Sequence, residues 1–225
     1  MDKKVAWSFS ALSVFRTCRK KFYHLKIARD VKDGDSEAAA EGKLVHDCMF
    51  KRVIKGTALP LGLKPHEKTA AAYADRIKAC DDAQGEIKLC LNDRLEPVEW
   101  FAKDAWVRAV VDLLMLKGTT AILVDWKTGK RKDNFEQLKL SAALLSRYMP
   151  EIEKFVLVFE WLRDKERSSI TITKDEMKGV WLELLPQVME IEEAKKTTDF
   201  PATPSGLCGW CPVTSCPHWF DKDDR

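Results

Sequence analysis

Residues 105–127, AWVRAVVDLLMLKGTTAILVDWK, hold two runs of apolar and β-branched side chains separated by little more than a Lys117-Gly118 turn. That pattern predicts two consecutive strands joined as a hairpin. Each run carries a carboxylate that a buried strand has no use for, Asp112 in the first and Asp125 in the second. Side chains alternate along a strand, so Asp125 and Lys127 share a face and Trp126 turns to the other. If the strands are neighbours, Asp112 reaches the same place. Two carboxylates in an apolar setting repel and lose hydration unless a cation or a proton joins them. Hard oxygen donors suit Mg²⁺ or Mn²⁺. A lysine beside them can orient or deprotonate a water and stabilise charge on a phosphate under attack. The plainer alternative is a strand-end ion pair with Asp112 solvated, the usual meaning of an isolated D-x-K.

The rest of the chain predicts an α/β fold, a small mixed central sheet flanked by helices. Ser8 or Ser10 caps a helix running to Ile27, Ala38–Val53 forms a second helix with His46 in its middle, and a third begins after Pro65. The pattern changes at Gly85, with a strand over EIKLCLN ahead of the hairpin. A helix over about 134–148, stopped by Pro150, is followed by strands KFVLVFEWL and SSITIT and a helix over about 175–196. A tail rich in Pro, Gly and Cys comes last. One domain over 1–225 is expected, with a helical part (1–84), a core (85–196) and the tail (197–225). Trp161 and Trp181 read as core. At 225 residues and 45% hydrophobic content the chain is large enough for such a core.

Thirty-eight basic residues against 35 acidic ones leave a net charge of +3, so any nucleic-acid contact must rest on local patches. Two are visible: Arg16, Arg19, Lys20 and Lys21 near the N-terminus, and Lys130, Arg131 and Lys132 just after Lys127. No window is apolar enough to span a membrane or serve as a signal peptide, and a cytosolic location is the expectation. Of seven cysteines, Cys208, Cys211 and Cys216 follow a C-x2-C-x4-C spacing, a soft-ligand set short of one donor. His218 would complete a Cys₃His zinc site, and Cys18 a four-cysteine iron–sulfur site. Spacing is compatible with both. Cys48, Cys80 and Cys90 fall on apolar periodic positions and read as buried thiols.

The hairpin with Asp112, Asp125, Lys127 and the following Thr128-Gly129-Lys130 resembles the core of the PD-(D/E)xK nuclease superfamily, in its RecB-like branch. GKLVH resembles that branch's G-x-x-x-H helix motif, QLKLSA its glutamine motif, and SFSALSVFRTCRKKFYH its N-terminal element, all in the expected order. The resemblance implies a restriction-endonuclease-like core and a metal-dependent DNA nuclease, an exonuclease rather than an endonuclease. It implies Asp112, Asp125, His46 and the Trp126 backbone carbonyl around Mg²⁺ or Mn²⁺, with Lys127 and Gln137 catalytic. A subset of the branch, including AddB-type subunits and CRISPR-adaptation nucleases, carries a [4Fe–4S] cluster on one N-terminal and three C-terminal cysteines, here Cys18, Cys208, Cys211 and Cys216. Trp210 and Trp219 would cover it. The branch also implies a helicase, recombinase or integrase partner. Two departures stand out: Ser141 where the branch often has Tyr, and a second cysteine gap one residue short. The alternatives are a non-cleaving DNA-binding or docking module of the same fold, and a structural zinc protein.

Overall fold

The computed structural model describes residues 6–33 and 37–221. Its centre is a five-stranded sheet in the order β1 (Asp82–Leu91), β2 (Val107–Lys117), β3 (Thr120–Lys127), β4 (Lys154–Trp161) and β5 (Glu166–Thr173). β1, β2 and β3 run antiparallel in turn, β3 and β4 parallel, and β4 and β5 antiparallel. The parallel step needs a crossover, and helix α5 (Glu136–Tyr148) supplies it. Helices α1 (Phe9–Thr17), α5 and α6 (Met177–Thr197) cover one face of the sheet. Helices α3 (Glu37–Lys55) and α4 (Glu67–Ile77) cover the other. The expected mixed sheet flanked by helices is therefore present, and Trp161 and Trp181 lie in its core.

The hairpin is as expected, with Gly118 at the first of the two turn positions and a positive φ of 54°, as a two-residue connection requires. Two boundaries differ. β1 begins at Asp82, inside the span read as helical, because α4 ends at Ile77 and a short turn comes next. The N-terminal helix is broken at Cys18, whose backbone is extended (φ −162°, ψ 115°); α2 (Arg19–Phe22) restarts beyond it and passes into a π-helical turn, Tyr23–Ala28. The break turns Cys18 and Lys20 toward the tail: Thr203 N donates to Cys18 Sγ (3.4 Å) and Lys20 N to Pro201 O (3.2 Å). The tail also has apolar anchors, Phe200 against Phe22 and Tyr23, and Val213 fully buried. Cys48 and Cys90 are buried thiols, but Cys80 is half-buried and its thiol donates to Arg76 O.

An irregularity shared by β1 and β2 sets which way the side chains around Asp112 point. Val107 and Val111 turn into the core under α5, and then so do Leu114 and Leu116, so the inward alternation changes phase around Asp112. Across from it the ladder skips Glu86, whose backbone is left-handed (φ 54°), between the pairs Gly85↔Leu113 and Ile87↔Val111. At Gly85 the α3 side chain Phe50 packs tightly on the sheet: a Cβ there would lie 2.7 Å from Phe50 Cε2 and 3.3 Å from the Asp112 carbonyl oxygen. Gly85→Ala is expected to lower unfolding free energy by about 1–3 kcal/mol, the range for overpacking. In urea titrations the loss should shrink when combined with Phe50→Ala, and strict additivity would show that the Phe50 ring does not set the constraint.

Candidate active site

β2 and β3 pair from Lys117↔Thr120 to Leu113↔Val124 and then part. The next residues along that register are Asp112 and Asp125, so the two carboxylates stand at a fork, where side chains take over from the ladder. Trp126 N, beyond the end of the β2 ladder, donates instead to Asp112 Oδ2 (2.8 Å). Asp112 and Asp125 are only 8% and 5% exposed.

Each carboxylate has its own positive or polar neighbour. His46 Nδ1, delivered by α3, lies 3.1 Å from Asp112 Oδ2. Burial pulls the His46 pKa down, but the hydrogen bond and charge of Asp112, the charge of Asp125 and a hydrogen bond to the Trp126 backbone outweigh it and raise the value above 6.5. Lys127 Nζ lies 2.8 Å from Asp125 Oδ2, on the same face as alternation requires. Gln137, in the first turn of α5, bridges the two: its Nε2 donates to Asp125 Oδ1 (2.7 Å) and its Oε1 accepts from Lys127 Nζ (2.9 Å). Ser141, one turn on, is buried and donates to the Gln137 carbonyl. Burial first, then the charge of Asp112, raises the Asp125 pKa against the opposing effects of Lys127 and His46. Trp126 points away and is fully buried against Tyr73.

The structure thus brings together His46, Asp112, Asp125, Lys127 and Gln137, all on the wall of one pocket. It adds residues that sequence reasoning passed over. Glu86 is a third acid, its pKa raised by burial and then by the charge of Asp112; it falls opposite Asp112 in the β1–β2 register, which no local pattern announces. Ser8, Ser10, Trp100 and Arg108 line the same pocket. The residues of the two basic patches are not on the wall of this pocket. Arg16 is held by Glu136 and Gln187, Arg19 by Glu190, and Arg131 by Asp133 and Glu166. Lys130 and Lys132 are exposed on the loop after β3, and Lys20 lines a different pocket.

That second pocket gathers Cys18, Cys208, Cys211, Cys216 and His218, with Trp210 and Trp219 on its wall. Ser205 N donates to Cys208 Sγ (3.3 Å), as Thr203 N does to Cys18 Sγ, so two of its sulfurs face backbone donors. Among the described residues no three His, Cys, Asp or Glu side chains are gathered closely enough to hold a metal ion in the arrangement present. The donor types nevertheless fit: four thiols around one cavity here, and at the fork two buried carboxylates. There Asp125 Oδ2 has an ion-pair neighbour but no well-aligned hydrogen bond.

The carboxylate fork makes two predictions. Asp112→Ala strips the buried Trp126 N–H of its acceptor and should cost about 1–3 kcal/mol in chelator-treated protein, whereas Asp112→Asn keeps an acceptor and removes one of two like charges. Urea titration should place the Asn variant at or above wild type. Both His46 and Asp125 have folded pKa values above their ordinary ones, so the stability they contribute is present at low pH and lost as the pH rises through the raised values. Metal-free protein should therefore lose stability from below pH 6.5, the ordinary His46 value, to above it. His46→Gln should flatten that slope, and an unchanged slope would contradict the assignment.

No helix among the described residues is long and apolar enough to cross a membrane. A search of curated proteins finds no match. Among solved structures, SSO0001 is 15% identical with a TM-score of 0.45, covering 93% of this chain and 86% of that one. A candidate exonuclease from Eubacterium rectale is 15% identical with a TM-score of 0.47, covering 96% and 87%. The profile of the PD-(D/E)XK nuclease superfamily matches residues 6–217. With nearly the whole chain matched and a restriction-endonuclease-like α/β sheet carrying Asp112, Asp125 and Lys127 at its fork, the chain belongs to the PD-(D/E)XK nuclease superfamily.

Proposed function

We propose that this nuclease is a divalent-metal-dependent deoxyribonuclease of the RecB-like branch, acting as an exonuclease. The observation that carries the reading is the pair of buried carboxylates facing one another at the end of the β2–β3 ladder, with Lys127 against Asp125. Asp112 and Asp125 would hold Mg²⁺ or Mn²⁺, with His46 and the Trp126 carbonyl assisting. Such an ion supplies Lewis-acid activation of the phosphodiester and of water.

The remaining steps fall to side chains. Lys127 has three N–H donors; Gln137 Oε1 and Asp125 Oδ2 can engage two of them, which leaves one for the attacking water or a phosphate oxygen. Gln137 fixes both Asp125 and Lys127, so it orients the pair without contributing charge. A water so placed attacks phosphorus and loses a proton to solvent, the P–O bond to the leaving sugar oxygen breaks as that oxygen takes a proton from solvent, and the ammonium stabilises the added negative charge.

The four cysteines favour a second group. Cys18 is bonded to the tail across nearly the whole chain, and all four thiols line one cavity. We infer a [4Fe–4S] cluster there, fastening the tail (197–225) to the N-terminal helices; zinc on Cys208, Cys211, Cys216 and His218 is the competing assignment. DNA is the proposed partner, alongside a helicase, recombinase or integrase in a cytosolic pathway.

Asp125→Ala and Lys127→Ala should each abolish Mn²⁺- or Mg²⁺-dependent degradation of linear DNA, and Gln137→Ala should reduce it roughly 10²-fold, as expected for a lost positioning contact. Full activity in either of the first two variants would overturn the mechanism. Closed circular DNA should resist an exonuclease, and its cleavage would reassign the enzyme as an endonuclease. Anaerobically purified protein should be brown with a broad visible absorption that Cys18→Ser removes. A colourless protein with one zinc per chain would establish the alternative.

A further inference from the structure

The connection between β1 and β2 holds its aromatic side chains beside the site. Its backbone is well tied: Val98 N donates to Cys90 O (3.0 Å), Ala102 N to Glu99 O (2.9 Å) and Trp106 N to Leu91 O (2.9 Å). Trp100 and Phe101 sit at its turn, and Phe101 is 85% exposed, so its ring is accessible to a partner. Under them lie two cations. Arg108 stands 5.2 Å from the centre of the Trp100 ring and 5.9 Å from that of Phe101, and Lys88 lies 5.8 Å from Trp100. Arg108 Nε is buried with no hydrogen-bond partner.

These residues are continuous with the carboxylates. Val107 and Val111 turn into the core, leaving Arg108 and Val110 on the opposite side of β2, in the pocket that also holds Asp112. On the adjacent strand Lys88 pairs with Val110. Along β2, Arg108 lies roughly 13 Å from Asp112 at the usual strand rise. The surface therefore changes from acidic at Glu86 and Asp112 to basic and aromatic at Lys88, Arg108, Trp100 and Phe101. A carboxylate pair is suited to a metal and the broken bond. Cations beside aromatic rings, Phe101 exposed and Trp100 half-buried, are suited to the strand beyond it, with phosphates on the cations and bases on the rings.

We propose that Trp100, Phe101, Arg108 and Lys88 form the subsite that grips an unpaired DNA strand leading to or from the cleaved bond. An open ring face can stack only on a base whose own face is exposed, which excludes the interior of a duplex. Identifying the ligand as DNA rests on the nuclease reading above; the stacking platform itself rests on this geometry.

The test is fluorescence anisotropy with a labelled oligo(dT) and with a blunt duplex of equal length, in EDTA so that no cleavage intervenes. Trp100→Ala and Phe101→Ala should each weaken oligo(dT) binding roughly tenfold or more, the range for a lost base–aromatic stack, and change duplex binding less than about twofold. Neither removes a charge, so the salt dependence of oligo(dT) binding should keep its slope, whereas Arg108→Gln should reduce that slope by about 0.7, one phosphate contact. Phe101 is so exposed that its variant tests the proposal without risk to folding, and circular dichroism melts check the others. Unchanged oligo(dT) binding in both aromatic variants, or an equal loss on the duplex, would overturn the subsite. Ring-dependent oligo(dT) binding without Mn²⁺-dependent cleavage would uphold the subsite and refute the nuclease reading; cleavage with ring-independent binding would do the reverse.

Discussion

Two like charges held out of water at the point where two strands separate are the constraint around which this molecule is organised. Asp112 and Asp125 are each nearly buried, and an unopposed carboxylate pair in such a place is unfavourable by several kcal/mol. The opposing charge and hydrogen bonds come from three elements: His46 from α3, Lys127 from β3 itself, and Gln137 from α5. Because α3 and α5 lie on opposite faces of the sheet, the site can be complete only when both layers are in place. Gly85 is part of this requirement, since it lets α3 approach closely enough for His46, one turn before Phe50, to reach Asp112.

The strand that presents Asp125 and Lys127 is held from behind. Trp126 meets Tyr73 edge-on at 4.9 Å, and the Tyr73 hydroxyl donates to Glu160 Oε2 (2.8 Å), which also accepts from Arg167 Nε (2.8 Å). Burial and the charge of Glu160 keep the Tyr73 phenol protonated well beyond its ordinary range. Glu160 is paired with Trp126 in the parallel register, so the network clamps β3 to β4 at the level of the site. A strand end, usually the softest part of a sheet, is thereby fixed where catalysis needs precision.

Much of this could be read from the chain because period-two alternation is a strong signal. It placed Asp125 and Lys127 together, turned Trp126 away and made the hairpin that brings Asp112 alongside. Gln137 and His46 carry no such local signal; their expected roles came from the ordered family motifs, and the geometry supplies the contacts. What stayed hidden depends on tertiary structure. The extended backbone at Cys18 interrupts a segment whose periodicity is helical, and is stabilised by Thr203 and Pro201 far along the chain. The phase change at Asp112 needs a left-handed Glu86, a conformation that a glutamate rarely advertises. Arg16 and Arg19 looked like a cationic patch, but α6 and α5 bring Glu190, Glu136 and Gln187 to meet them.

Helix α1 has a position whose meaning goes beyond its packing. Its first residues, with Ser8 and Ser10, line the carboxylate pocket; its last residue, Thr17, and Cys18 beyond it line the cysteine pocket. Ala11, Leu12 and Phe15 seat the nine-residue helix in the core between them. One nine-residue helix therefore contributes to the walls of both pockets, so a substitution that unseats it would disturb the two together.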